Sequence, residues 1–162
     1  MALTQLGTNS PEGTVAPGLH KEVIQSIGTS ERQLLPEESG SLILLDAADQ
    51  ITVRLPTPVA GMTFDFLTTV SVTSSDTHKV ITKTIASEFM IGGVMSGNLT
   101  VAASGDVFVA NGSTHVAITS NGSTTGGLVA GWFRLTAIST TQWGIQGVIQ
   151  GSGTNADPFA TS

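Results

Sequence analysis

Cysteine is absent from the 162 residues, so disulfides and thiolate metal sites are excluded, and stability beyond the core has to come from packing or association. Charge is scarce as well. Asp, Glu, Lys and Arg make up 11% of the chain, less than half of the roughly 25% usual for globular domains. The six Lys and Arg residues stand scattered at 21, 32, 54, 79, 83 and 134, and the formal net charge is −6. That leaves no basic stripe to neutralise phosphates, so a nucleic-acid partner is not expected. No apolar run reaches the length of a membrane-spanning helix, so no membrane partner is expected either. The opening MALTQLGTNSPEG has neither a basic segment nor an apolar run of signal-peptide length, and no secretory signal is expected there.

In place of charge the chain has hydroxyls and backbone: Gly accounts for 19 residues, and Ser with Thr fill about a quarter. A weakly charged exterior is poorly suited to a solitary protein and well suited to one that becomes covered. Association with other protein chains is the expectation that composition supports best.

The length suits one domain with tails. Residues 1–30, with Pro11, Pro17 and glycines at 7, 13, 18 and 28, read as an extended N-terminal arm. A β domain is expected over 31–150, and 151–162 reads as a short polar C-terminal tail. Within the domain, short β-rich runs are bounded by turn residues, which predicts an all-β fold: an antiparallel β-sandwich or small barrel, with a jelly roll among the options. Ile51, Val53 and Leu55 alternate with Thr52 and Arg54, so one face is core. Met62 to Thr73 reads as the longest strand. Leu42 to Leu45, apolar throughout, predicts a central strand buried on both faces. Pro56-Thr57-Pro58-Val59-Ala60-Gly61 forces a turn between them. Further strands are expected at 78–85, 99–102, 107–110, 115–119, 128–138 and 142–149. Asn111-Gly112-Ser113-Thr114 recurs as Asn121-Gly122-Ser123-Thr124, and Asn-Gly predicts type I′ hairpin turns at both places.

Chemistry is hard to find. The histidines at 20, 78 and 115 show no metal-ligand spacing. Ser75-Asp76-Thr77-His78 holds the residue types of a hydrolase triad, yet consecutive extended residues face opposite ways and read as a polar loop. Gly122 to Gly127 lacks the ending of a phosphate-binding loop, and Asp46 with Asp49 would need further oxygens to hold Ca²⁺. The triplets at Asn98, Asn111 and Asn121 that fit the glycosylation pattern read as turns. Trp132 and Trp143 are expected in the core or an interface, with sugar stacking as the alternative use. The expectation is no enzyme, no catalytic, metal or cofactor-binding residue, and no cofactor.

Leu55-Pro56-Thr57-Pro58-Val59-Ala60-Gly61-Met62-Thr63-Phe64-Asp65-Phe66 resembles segments of small proteins encoded among the head genes of tailed bacteriophages. So do Asn111 to Val116, Gly126-Gly127, Trp143, and the closing Gly151-Ser152-Gly153-Thr154 and Pro158-Phe159-Ala160-Thr161. The resemblance, over residues 35–162, is to capsid cement or decoration proteins. It implies a structural virion protein, often a homotrimer, on the outer surface of the capsid, bound to the major capsid protein and bridging capsomers against internal DNA pressure. It implies no catalytic residues. The alternative is a virion surface adhesin or head-fibre module that binds host carbohydrate.

Overall fold

The computed structural model describes residues 23–25, 31–73, 75–100 and 105–162. Most of the expected N-terminal arm lies outside the described residues. The described residues form a β-sandwich of two mixed sheets packed face to face, with no closed barrel among them. They hold twelve strands, in order β1 Val23–Gln25, β2 Glu31–Gln33, β3 Leu42–Leu45, β4 Ile51–Arg54, β5 Thr63–Thr68, β6 His78–Ile81, β7 Phe89–Asn98, β8 Gly105–Asn111, β9 Ala117–Ser120, β10 Trp132–Ala137, β11 Gln142–Gly151 and β12 Phe159–Ala160. One sheet runs β1-β3-β5-β10-β11-β7-β8 and the other β12-β9-β6-β4-β2.

The sheets are not purely antiparallel. β1, β3 and β5 lie parallel in the larger sheet, β2, β4 and β6 parallel in the smaller, and β7 parallel to β11. Up to β7 the chain changes sheet after each strand. A hairpin return makes antiparallel neighbours, whereas a chain that crosses over and comes back lays down parallel ones. The Pro56–Gly61 turn is one such crossing, from β4 in the smaller sheet to β5 in the larger.

The core fills the space between the sheets. Ile51, Val53 and Leu55 are buried as their alternation requires, facing Phe64, Phe66, Phe133 and Trp143 from the larger sheet. The Phe66 and Phe133 rings stack at 4.9 Å, and Trp143 meets Phe64 at 6.0 Å in a tilted contact. Aromatic pairs in these geometries add to the energy of area burial.

Several expectations change. β5 ends at Thr68, and the longest strands are β7 and β11, ten residues each. β3 buries only Ile43 and Leu45, leaving Leu42 and Leu44 half-buried on the outer face. The closing segment is more than a tail: Phe159 and Ala160 pair with β9, and the Phe159 ring is buried. Neither Asn111 nor Asn121 has positive φ, so neither Asn-Gly pair forms a type I′ turn, which requires it at both central residues. The asparagine side chain organises each loop instead. Its Oδ1 accepts the N–H two residues on, at 3.0 Å in both loops, and its Nδ2 donates to the threonine hydroxyl three residues on, at 2.7 and 3.1 Å. Asn side chains commonly replace a backbone turn this way. The repeated tetrapeptide is therefore a repeated loop geometry.

Candidate docking face

The outer faces of the two sheets differ in chemistry. On the smaller sheet, strand register sets Thr119, Lys79, Thr52 and Glu31 side by side, with Arg54 donating to the Glu31 carboxylate at 2.7 Å. That is an ordinary solvated face.

On the larger sheet, Val107, Met95, Val148, Trp132, Leu67 and Leu44 stand directly opposite one another across β8, β7, β11, β10, β5 and β3. Registered residues point to the same side of a sheet, and strands lie about 4.8 Å apart, so these six form one apolar row roughly 24 Å long. Val107 is 67% exposed, Met95 53% and Val148 39%. Trp132, Leu67 and Leu44 are half-buried.

The next row runs Val109, Gly93, Gln146, Arg134, Asp65 and Leu42, and the third includes Asn111, Ile91, Gly144, Thr136 and Thr63. In these three rows the only charged side chains are Arg134 and Asp65, and they neutralise each other. Arg134 Nε donates to Asp65 Oδ1 at 2.6 Å and its second nitrogen to Oδ2 at 2.9 Å. A forked pair of this kind holds both side chains in one geometry. The guanidinium also lies 6.0 Å from the Trp132 ring centre, which helps fix the indole. Beside the third row, Gly144 leaves a shallow hollow of about 370 Å³ bordered by Ile91, Thr136, Ile138 and Gln146. This face can receive apolar side chains from another molecule, and it offers few groups for chemistry.

The residues weighed for catalysis do not converge. Asp76 accepts the hydroxyls of Thr73 and Ser75 at 2.8 and 3.2 Å and closes a loop. His78 points into the sandwich, 1% exposed, with Nε2 against the carbonyls of Ala47 and Asp49 at 2.9 and 3.2 Å. Nε2 therefore carries the proton, and Nδ1 is buried without a partner among the described residues. His115 accepts the Asn111 N–H at Nδ1 and stacks on Phe159 at 5.6 Å, while His20 lies outside the described residues. No group of three metal-ligating side chains occurs among the described residues, Asp46 and Asp49 included. Asn98 Oδ1 accepts from the Thr100 N–H and hydroxyl, a local turn like those at Asn111 and Asn121. Trp143 is core, and Trp132 belongs to the exposed face.

Burial lowers the His78 pKa below its ordinary value of 6.5, outweighing the two carbonyls and the nearby carboxylates of Asp46 and Asp76, which act in the opposite direction. The folded protein thus binds fewer protons at this site than the unfolded chain. The contribution to stability is complete above about pH 6.5 and is lost as the pH falls from there through the lowered folded value. We expect a thermal midpoint that is level from about pH 8 to 7 and declines below about 6.5, before carboxylates titrate. A His78→Gln variant should lose the decline in that window while keeping the carboxylate-driven drop at lower pH, as a melting series in small pH steps will show.

Sequence reasoning overlooked the centre of this face. Phe89–Asn98 reads FMIGGVMSGN, and its glycines break the alternation that marks a strand. The signal available was the Val107, Val109 alternation on the neighbouring strand. No family model matches this chain, and no curated protein or solved structure is significantly similar to it.

Proposed function

We propose that this chain is a structural virion protein, a cement or decoration subunit that docks the apolar outer face of its larger sheet onto the major capsid protein at the outside of the shell. The row from Val107 to Leu44 is the observation that carries the docking. Large exposed apolar patches on otherwise polar proteins mark interaction surfaces, and among the described residues the opposite sheet offers no comparable surface. The low charge of the chain supports the same reading, and the resemblance of residues 35–162 to phage cement proteins supplies the capsid as partner. The work performed is binding: apolar area leaves water between subunits at about 25 cal/mol per Å² before the costs of association are subtracted. Nothing in this mechanism requires catalysis or a cofactor.

The test uses shells of the encoding virus stripped of the protein. Wild-type chain should co-sediment with them and raise their melting temperature. Met95→Glu with Val148→Glu should bind at least tenfold more weakly, since two unpaired charges would be desolvated on docking. The variant should melt within a few degrees of wild type, both side chains being substantially exposed. Equal binding by the variant, or no binding by wild type, would overturn the proposal.

Trp132 favours a second reading. An indole left partly exposed beside a guanidinium can stack on a sugar ring, so a carbohydrate adhesin predicts glycan binding that Trp132→Ala abolishes while shell binding is absent.

A further inference from the structure

Among the described residues, β8 ends the larger sheet and has one strand neighbour, β7. The Gly112 N–H donates to the Met90 carbonyl at 2.8 Å, and this sets the phase of the ladder. Residues 108 and 110 turn their backbone groups toward β7, while 107 and 109 turn theirs to the open edge. The Asn111 N–H has the same phase as the latter pair and leaves the sheet, reaching His115 Nδ1 at 3.2 Å. Val107 and Val109 are the most exposed of the described large hydrophobic residues, at 67% and 64%, together with Leu99 at 64%. Edge strands in natural proteins are guarded by Lys, Pro, bulges or short length. β8 is seven residues long and contains neither Lys nor Pro.

We infer that β8 is a self-association strand: two copies pair antiparallel along it, about a two-fold axis through Phe108, and join their larger sheets into one. The strand's own sequence selects a second copy as occupant. Pairing centred on Phe108 sets Val107 opposite the second copy's Val109 in both directions, which gathers four valines on the outer face. Phe108 meets its own equivalent at a non-hydrogen-bonded position, where side chains approach most closely. Asp106, the one charged residue of β8, falls opposite Ala110. The two Asp106 side chains then lie four residues apart along the paired strands, about 13 Å, beyond the screening length at ordinary salt. No register offset by one residue does this, because it would turn the valines against the opposite face of the second copy. Pairing through β8 also extends the Val107 row across the junction, so the dimer would present a docking face of twice the length. An isologous contact of this kind closes with two copies, in place of the three that the resemblance implies. It stands whether or not the protein binds a capsid.

Light scattering coupled to size exclusion, with no shells present, tests this. Wild type should elute with twice the chain mass. Val107→Lys with Val109→Lys should elute as monomer and melt at the temperature that wild type reaches when diluted until monomeric, both side chains being exposed. Phe108→Cys supplies the only cysteine in the chain, and the expected separation of about 4.5 Å between paired Cα atoms lies within disulfide range. Oxidation should therefore convert that variant to a covalent dimer. A wild-type monomer, a trimer, a dimer untouched by the lysines, or a Phe108→Cys variant that never cross-links would each overturn the inference. Met95→Glu with Val148→Glu should leave this dimer intact, which separates its failure from failure of shell docking.

Discussion

Trp143→Ala should lower stability by about 3–5 kcal/mol, the range for emptying a fully buried large aromatic site. The Trp143 side chain is 0% exposed. It sits between Ala137 and Met90 in strand register and against the Phe64 ring, with the sheet backbones on either side. Strand backbones held by ladders on both sides cannot collapse into the space left behind, so the cavity term stays large. For a chain of 162 residues this corresponds to a fall in melting temperature of roughly 6–20 °C. Trp143→Phe should cost much less than the alanine change. The indole Nε1 is buried with no partner among the described residues, and removing an orphaned donor relieves a desolvation penalty of about 1–3 kcal/mol that offsets part of the lost packing. Paired denaturation curves check both. Equal losses for Ala and Phe would mean that the indole N–H has a partner after all.

Gly92→Ala should prevent folding or cost more than about 4 kcal/mol, beyond the usual range for a single substitution. Two effects combine at this position, in the middle of β7. Its φ is +120°, which L side chains rarely adopt, and a Cβ there would lie 2.3 Å from the carbonyl oxygen of Ile145, its partner on β11. That oxygen belongs to a central strand held on both sides and has nowhere to go. Gly40→Ala separates the two effects. Gly40 has a similar φ of +94° with nothing within 4 Å of the added atom, so it carries the conformational cost alone, of order 1–3 kcal/mol. A Gly92→Ala protein as stable as Gly40→Ala would show that the β7–β11 pair can shift apart. Circular dichroism melts of the two variants, with expression yield as a second readout, decide the matter.

Much of the fold was legible where side chains alternate cleanly. β3 and β4 follow from Leu42 to Leu45 and from Ile51, Val53 and Leu55, β10 falls within the run expected at 128–138, and β11 covers the run expected at 142–149 and continues to Gly151. The pattern failed where glycine replaces side chains, at β7, and in β5, where the Thr68 hydroxyl faces inward and the Asp65 carboxylate is buried under Arg134 on the outer face, which blurs the alternation. Phe159 was lost in a stretch of polar residues, because one aromatic carries no period. The Asn-Gly loops were located correctly and given the wrong geometry, since the dipeptide is equally suited to a positive-φ hairpin and to a side-chain cap. Beyond the alternation of Val107 and Val109, the candidate docking face was not legible. Val107, Met95, Val148, Trp132, Leu67 and Leu44 come from six strands spread over 44–148, and no local pattern links them.

The sequence by itself determined an all-β chain without cysteine, poor in charge and suited to being covered, because alternation and composition are local properties that burial must respect. Only the tertiary structure decided that the strands up to β7 alternate between the sheets, so that β1, β3 and β5 and likewise β2, β4 and β6 lie parallel, and that two tryptophans eleven residues apart have opposite fates. It also decided which outer face is apolar and that β8 stands at an edge. Each of these depends on register and on which strand lies beside which, and pairing across long separations is set by the closing of a common core.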